Sequence, residues 1–309
     1  MRIIRDVNHC PDAYKNTVLA LGNFDGMHKG HVALIKHCVS LAHDLGTTPA
    51  VLTFEPHPRE FFSPNKTPVS IYSCRQKIEH LKALGIACVF VLRFNHALAA
   101  TSAHDFVHNI LSVSLRTQHV LTGYNFAFGK DRGGNTEFLA QHTAVLGIGF
   151  TAMPEVKDMV GTISTSAIRT SLAQGNVIRA SQMLGHRYAL AGHVAHGNKR
   201  GKTIGFATAN IAIHHLSVPC FGVYAVRAVI ENTTYDGVAN IGIKPTFGGE
   251  TPVLETHIFD FNQNIYGKRL RVEFMDFIRP EKKFETLDDL RKQIQVDVLA
   301  AKEKLREYA

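Results

Sequence analysis

Short apolar runs alternate with amphipathic segments through the first half of the chain. Val18–Leu21, Ala50–Phe54, Cys88–Leu92, His119–Leu121 and Gly149–Thr151 read as strands. After the first run, Leu34, Cys38, Leu41 and Leu45 recur at helical spacing. Ser73-Cys74-Arg75-Gln76 has the form of a capping box and opens a helix running to Gly85. Further helices are predicted from Ala103 to Leu111 and from about Thr136 to Leu146. This alternation predicts an α/β domain built on a parallel sheet.

The texture changes near Leu184–Arg187. Ala189–Ala195, Phe221–Val229, Gly237–Ile241, Glu255–Phe259 and Leu270–Phe277 are β-like runs separated by Gly, Asn and Pro. They predict a small barrel or sandwich. The chain closes on a helix whose N-terminal pair is Thr286 and Asp289, with an apolar stripe through Leu287, Leu290, Ile294, Val298, Ala301 and Leu305. The expected domains are therefore 1–184 and 185–309. There is no internal repeat and no low-complexity tract.

Composition narrows the class. At 309 residues the chain can bury two cores. Its 34 Lys and Arg against 26 Asp and Glu suit an anionic partner, but no basic run accompanies them, so ATP fits as well as nucleic acid. Five cysteines without a CxxC pair point to reduced thiols and a cytoplasmic protein. Neither a signal core nor an apolar run of membrane-spanning length is present, so no membrane partner is expected.

The chemistry concentrates first in Gly22-Asn23-Phe24-Asp25-Gly26-Met27-His28-Lys29-Gly30-His31, a corner between strand and helix. Free N–H groups and the helix dipole favour phosphate there, and His28 and His31 can face a bound polyphosphate together. A tight turn or a metal pair are the competing readings, although further zinc ligands are not obvious nearby. Thr53-Phe54-Glu55-Pro56-His57-Pro58 ends the second strand at the sheet's carboxyl edge. Gly123 to Gly134 follows the fourth strand; its glycines, aromatics, Asn125, Lys130 and Arg132 suit a flat ring bearing a phosphate. Ile163 to Arg169 is a helix start in which Ser164, Thr165 and Ser166 can act as caps and Arg169 can meet leaving phosphate oxygens.

In this order, these segments resemble the adenylyltransferase half of bacterial FAD synthetases, whose signature carries HxGH. The departures are Asn125 where many members have Asp, Ala127 where many have Arg, and Ser164-Thr165-Ser166 in place of Ser-Ser-Thr. The resemblance implies a Rossmann-like nucleotidyltransferase domain that joins FMN to the adenylyl group of ATP. It assigns His28 and His31 to catalysis, and Gly22, Asn23, Phe24, Asp25, Gly26, Gly30, Ser164 and Arg169 to the nucleotide. It places His57, Asn125, Phe128 and Arg132 at the flavin.

A second glycine-rich stretch, Gly192 to Thr203, fails as a P-loop because Gly197 and Gly201 enclose three residues and no helix follows. With Ala207-Thr208-Ala209-Asn210 it resembles the riboflavin kinase domain of the same family, whose motif is Pro-Thr-Ala-Asn. Asn240–Phe247, Leu254–Phe261, Tyr266-Gly267 and Arg279–Phe284 continue the match. The resemblance implies an antiparallel riboflavin kinase-like barrel with a terminal helix. It implies ATP at Gly197, Gly201, Lys202, Thr208 and Asn210, Mg²⁺ at Thr208 and Asn210, and flavin at Arg279 and Phe284. Glu255 would be the base that the ribityl alcohol requires.

The whole reads as a bifunctional enzyme of riboflavin, FMN and ATP, with Mg²⁺ as cofactor, FMN and FAD as products, and no nucleic acid or membrane partner. Oligomeric state is left open. The alternatives are an HxGH transferase of another substrate with an accessory barrel, and a basic RNA-binding protein.

Overall fold

The apolar runs Val18–Leu21, Ala50–Phe54 and Cys88–Leu92 are buried from end to end, as strands covered on both faces must be. In chain order the strands are β1 (Arg2–Ile4), β2 (Val18–Leu21), β3 (Pro49–Glu55), β4 (Cys88–Arg93) and β5 (His119–Gly123). A two-strand ladder, β6 (Ala127–Phe128) with β7 (Gly134–Asn135), precedes β8 (Gly149–Met153). The six-stranded sheet has the order β1-β4-β3-β2-β5-β8, and every pairing is parallel. The hairpin β9 (Lys157–Asp158) and β10 (Gly161–Thr162) follows.

The computed structural model describes residues 1–63, 70–195, 205–231, 233–246 and 249–308. Its chain divides into two compact units, Met1–Thr165 and Ser166–Ala309. The helices Thr165–Ala173 and Val177–Leu184 therefore fall almost wholly with the second unit rather than before the expected boundary. Ser181 shows why: its hydroxyl accepts from the Tyr188 N–H at 3.0 Å, just before the barrel's first strand. Likewise the Leu172 carbonyl accepts from the Cys220 N–H at 2.9 Å.

The barrel comprises β11 (Ala189–His193), β12 (Ala209–Ala212), β13 (Gly222–Ile230), β14 (Thr233–Thr246), β15 (Gly249–Ile258) and β16 (Arg269–Pro280). Their order is β11-β16-β13-β14-β15-β12, all antiparallel. An Ala195–Asn210 bridge draws the two edge strands together. That approach needs Gly192, because a Cβ there would lie 2.3 Å from Ile211 Cγ2. By strand alternation, the buried Leu190, Ile211, Tyr224, Val226, Ile241, Leu254 and Phe274 fill the interior. On the opposite face Val223, Ala225, Val238, Phe259 and Met275 pack against Ala301 and Leu305 of the terminal helix, Leu287–Arg306.

Some expectations change in detail. Glu255 lies within β15, which begins at Gly249 rather than at Glu255. The terminal helix has the Thr286 cap expected of it, but Leu287 is exposed and the buried positions are Asp297, Ala301 and Leu305. The segment after Ala103 continues to Ser114 with π-helical hydrogen bonding, beyond the expected end at Leu111.

Candidate active sites

In the first unit the chain leaves β2 at Leu21 and turns through left-handed backbone at Phe24 (φ 48°), Gly26 (φ 77°) and Met27 (φ 45°). Two neighbours hold this unusual path. The Asp25 carboxylate is buried and accepts from the N–H groups of Ile71 (2.7 Å) and Tyr72 (3.3 Å). The Asn23 carbonyl accepts from the Thr53 hydroxyl at 3.1 Å. Asp25 therefore clamps the loop, and its own carbonyl accepts from the Thr165 hydroxyl at 3.2 Å.

His28 caps the helix Lys29–Asp44, its Nδ1 accepting from the His31 N–H at 3.3 Å. The two imidazoles stack with centroids 3.7 Å apart, and Phe24 meets His31 edge-on at 5.4 Å. Gly30 makes room for the stack, since a Cβ there would stand 3.1 Å from His28 Cε1. Burial pushes the His28 pKa down to about 4. His31 is held well below the usual range by burial first, then by His28 and by the cation of Lys77. Both rings are neutral at physiological pH, so they act as hydrogen-bonding groups rather than cations. Among the described residues, the buried His31 Nδ1 and Asn23 Oδ1 have no hydrogen-bond partner. Polar atoms so placed are costly unless a ligand completes them. No group of three or more His, Cys, Asp or Glu among the described residues could hold a metal, so the two histidines gain no third ligand.

The other expected residues of this unit are less uniform. His57 is buried and caps the short helix Pro58–Phe62, accepting from the Arg59 N–H at 3.1 Å. Asn125 and Arg132 are exposed on the loop after β5. Phe128 is mostly buried, packed by Phe106, Phe126 and Phe138. Its ring anchors the loop that carries the two exposed residues. Ser164 is half-buried in the first unit; Arg169 lies one turn into the helix that begins at Thr165 and belongs to the second unit.

The barrel brings its expected residues into line. Register pairs Asn210 with Glu255, Glu255 with Asn240, Asn240 with Val223, and Val223 with Arg279. Residues directly opposite in a ladder share a face, so this is one row across five strands. Glu255 is half-buried in this row, flanked by the amides of Asn210 and Asn240. Asn210 Nδ2 lies 3.3 Å from the Thr208 carbonyl and 3.5 Å from its hydroxyl, which keeps Thr208 beside the row. His257, two residues along β15 on Glu255's face, holds the Ala207 carbonyl at 2.8 Å from its Nδ1. Arg279 reaches the buried Asp297 of the terminal helix through two bonds, 2.8 and 2.7 Å, and stands 5.8 Å from the Phe284 ring centroid. Gly197, Gly201 and Lys202 lie outside the described residues.

Two residues here escaped the sequence reading, Lys77 and Asp297, while Asn240 and His257 lay in the matched segments without an assigned role. Lys77 carried a signal, because it shares a helical face with the buried Leu81, an unusual place for a cation.

A parallel sheet with a phosphate-favouring corner, joined to a barrel with a carboxylate between two amides, defines a two-unit enzyme of phosphate transfer. The FAD synthetase family model matches residues 10–167, and the riboflavin kinase model matches residues 184–305. The chain belongs to the bifunctional riboflavin kinase/FMN adenylyltransferase family, and it makes FMN from riboflavin and FAD from FMN. Proteins of that description from Haemophilus influenzae and Escherichia coli K12 are 38% and 35% identical over 305 residues, covering 98% of this chain and 98% and 97% of theirs. The Bacillus subtilis protein is 38% identical over 286 residues, 91% of this chain and 90% of its own. A Streptococcus pneumoniae crystal structure, described as a macrolide-efflux protein, superposes with a TM-score of 0.83 at 31% identity over 96% of both chains.

Proposed function

We propose that Glu255 is the general base of the kinase step and that His28 and His31 serve the adenylyl step without one. The observation that carries this reading is the place of Glu255 between Asn210 and Asn240 in the Asn210–Glu255–Asn240–Val223–Arg279 row. An alcohol nucleophile must lose a proton, and the carboxylate is the basic group of that row. FMN attacks through a phosphate oxygen that is already ionised, so its site needs only positioning and donors to the polyphosphate. The helix N-terminus at Lys29 and the stacked imidazoles supply these. Ser164 and Arg169 would meet departing pyrophosphate, while His57, Asn125, Phe128 and Arg132 would hold the flavin.

In the barrel, the Thr208 hydroxyl and Asn210 amide oxygen beside a carboxylate form the kind of hard-oxygen set that suits Mg²⁺. When bound, Mg²⁺ would offset charge on the ATP phosphates. Gly197, Gly201 and Lys202 complete the proposed ATP contacts, and Arg279 and Phe284 those of riboflavin. The domain boundary at 184/185 belongs to the same proposal. So do a cytoplasmic setting and a partner set limited to riboflavin, FMN and ATP, without nucleic acid or membrane; no described helix is long and apolar enough to cross a bilayer.

The test is Glu255→Gln, which keeps shape and removes the base. FMN formation from riboflavin should fall about 10²–10⁴-fold, the usual contribution of general-base help. FAD formation from supplied FMN should persist at the parent rate. Parent-rate phosphorylation of riboflavin by this variant would refute the assignment.

A further inference from the structure

We propose that Lys77 is a positioning residue for adenylyl transfer, holding the glycine-rich corner in its working shape from beneath through Thr53 and Asn23. Lys77 lies in the helix Cys74–Ala83 and is 5% exposed. Its ammonium donates to the Thr53 hydroxyl at 3.3 Å, and that hydroxyl donates to the Asn23 carbonyl at 3.1 Å. Thr53 is itself fully buried, near the carboxyl end of β3. The relay thus joins a buried cation to the backbone of the residue that opens the turn between β2 and His28.

A buried ammonium whose hydrogen-bond acceptor among the described residues is a neutral hydroxyl is an expensive arrangement, because a charge taken out of water loses several kcal/mol of hydration, which the Glu55 carboxylate nearby offsets only in part. Thr53 Oγ1 is the acceptor given to it among the described residues. Lysine is the wrong residue for this place if packing were its only task; a methionine would fill it without that cost. The corner above it holds two further unsatisfied atoms, Asn23 Oδ1 and His31 Nδ1. A buried cation below a corner built for phosphate is what a tetraanionic nucleotide would stabilise on binding.

The titratable groups around Lys77 come from several elements. His31, at the start of the first long helix, feels its charge. Glu55 of β3 and Cys74 of its own helix feel it too, with Arg5 acting on the same carboxylate and thiol and Glu60 on that carboxylate. The Lys77 charge opposes protonation of His31, which already faces the neighbouring His28. Removing it should let His31 take a proton at a higher pH.

This inference rests on the adenylyl site being at His28 and His31, and the experiment separates the two. In the full chain, Lys77→Met keeps length and removes charge. FAD formation from FMN and ATP should fall about 10²-fold, the cost of displacing a reacting group by about 1 Å. Phosphorylation of riboflavin by the same preparation should be unchanged, which reports a folded polypeptide. The His31 ring resonance should titrate at a higher pH than in the parent, and in Thr53→Val, which keeps the cation, it should stay at the parent value, so that the shift reports the charge rather than loosened packing. Thr53→Val is the second variant: it keeps the cation, breaks the relay, and should also lower FAD formation. A parent rate of FAD formation in either variant overturns the proposal, as does an unshifted His31 titration in Lys77→Met. If Lys77→Met does not fold, Thr53→Val decides alone. His31→Ala tests the underlying site: a parent rate there would remove the site reading whatever Lys77 does.

Discussion

Gly30→Ala offers a sharp test of the histidine stack. Gly30 sits in the first turn of the helix Lys29–Asp44 with ordinary helical backbone, so alanine meets no conformational strain there. Helix propensity favours the change by about 1 kcal/mol. Against it, the new methyl would stand 3.1 Å from His28 Cε1 and 3.2 Å from Nδ1, closer than the 3.4–4 Å of ordinary contact. The ring must retreat by a few tenths of an ångström. It is stacked on His31 at 3.7 Å and caps the helix through the same Nδ1, so retreat disturbs both. The two effects on stability nearly offset, and the melting temperature should move little. Catalysis should not be spared. Since about 1 Å of misplacement costs roughly 10²-fold, a few tenths should cost roughly tenfold in FAD formation, about 1.4 kcal/mol. The assay is chromatographic resolution of FMN and FAD, with riboflavin phosphorylation in the same preparation as control. Parent-rate FAD formation by Gly30→Ala would show that the stack is not part of the working geometry.

Two further outcomes follow from the structure. A fragment beginning at residue 166 should convert riboflavin to FMN, make no FAD and melt higher than one beginning at residue 185. The shorter fragment loses the Ser181–Tyr188 hydrogen bond, about 0.5–1.5 kcal/mol, together with the burial of Val177, Ala180, Met183 and Leu184; equal melting temperatures in a thermal scan would refute this. Second, the first unit should lose stability in acid. His28 is depressed from 6.5 in the unfolded chain to about 4 when folded, so the unfolded state binds its proton first as pH falls. The contribution is complete above about 6.5 and drains away toward 4; calorimetry of the full chain should show this fall, and His28→Gln should flatten it.

Much of this fold was legible because the apolar pattern that makes a strand is the pattern that buries it. Val18–Leu21 and Ala50–Phe54 announced a parallel sheet, and the residues between them announced a corner. The barrel's inner face was legible for the same reason. What stayed hidden depends on partners distant in sequence. Nothing local tells that Lys77 reaches Thr53, that Asp297 will be buried because Arg279 meets it, or that Asp25 spends its carboxylate on Ile71 and Tyr72. The helix Val177–Leu184 reads locally as the end of an α/β pattern, and nothing in its own sequence tells that Ser181 will accept from the Tyr188 N–H across the expected 184/185 boundary. The Ala207 departure gains a physical setting as well, since His257 now holds the carbonyl of that residue.

The row from Asn210 to Arg279 also governs where the gene can change length. Its members lie far apart in the chain but meet by counting residues along paired strands, and a strand's side chains alternate between faces. Extra residues at a surface connection between strands leave that count intact. One extra residue inside Gly249–Ile258, placed between the turn and Glu255 with the rest of the pairing held, would carry the carboxylate from the outer face into the interior, where Leu254 and Thr256 now stand. Natural variation in length should therefore gather at the ends of these strands and be absent from their middles.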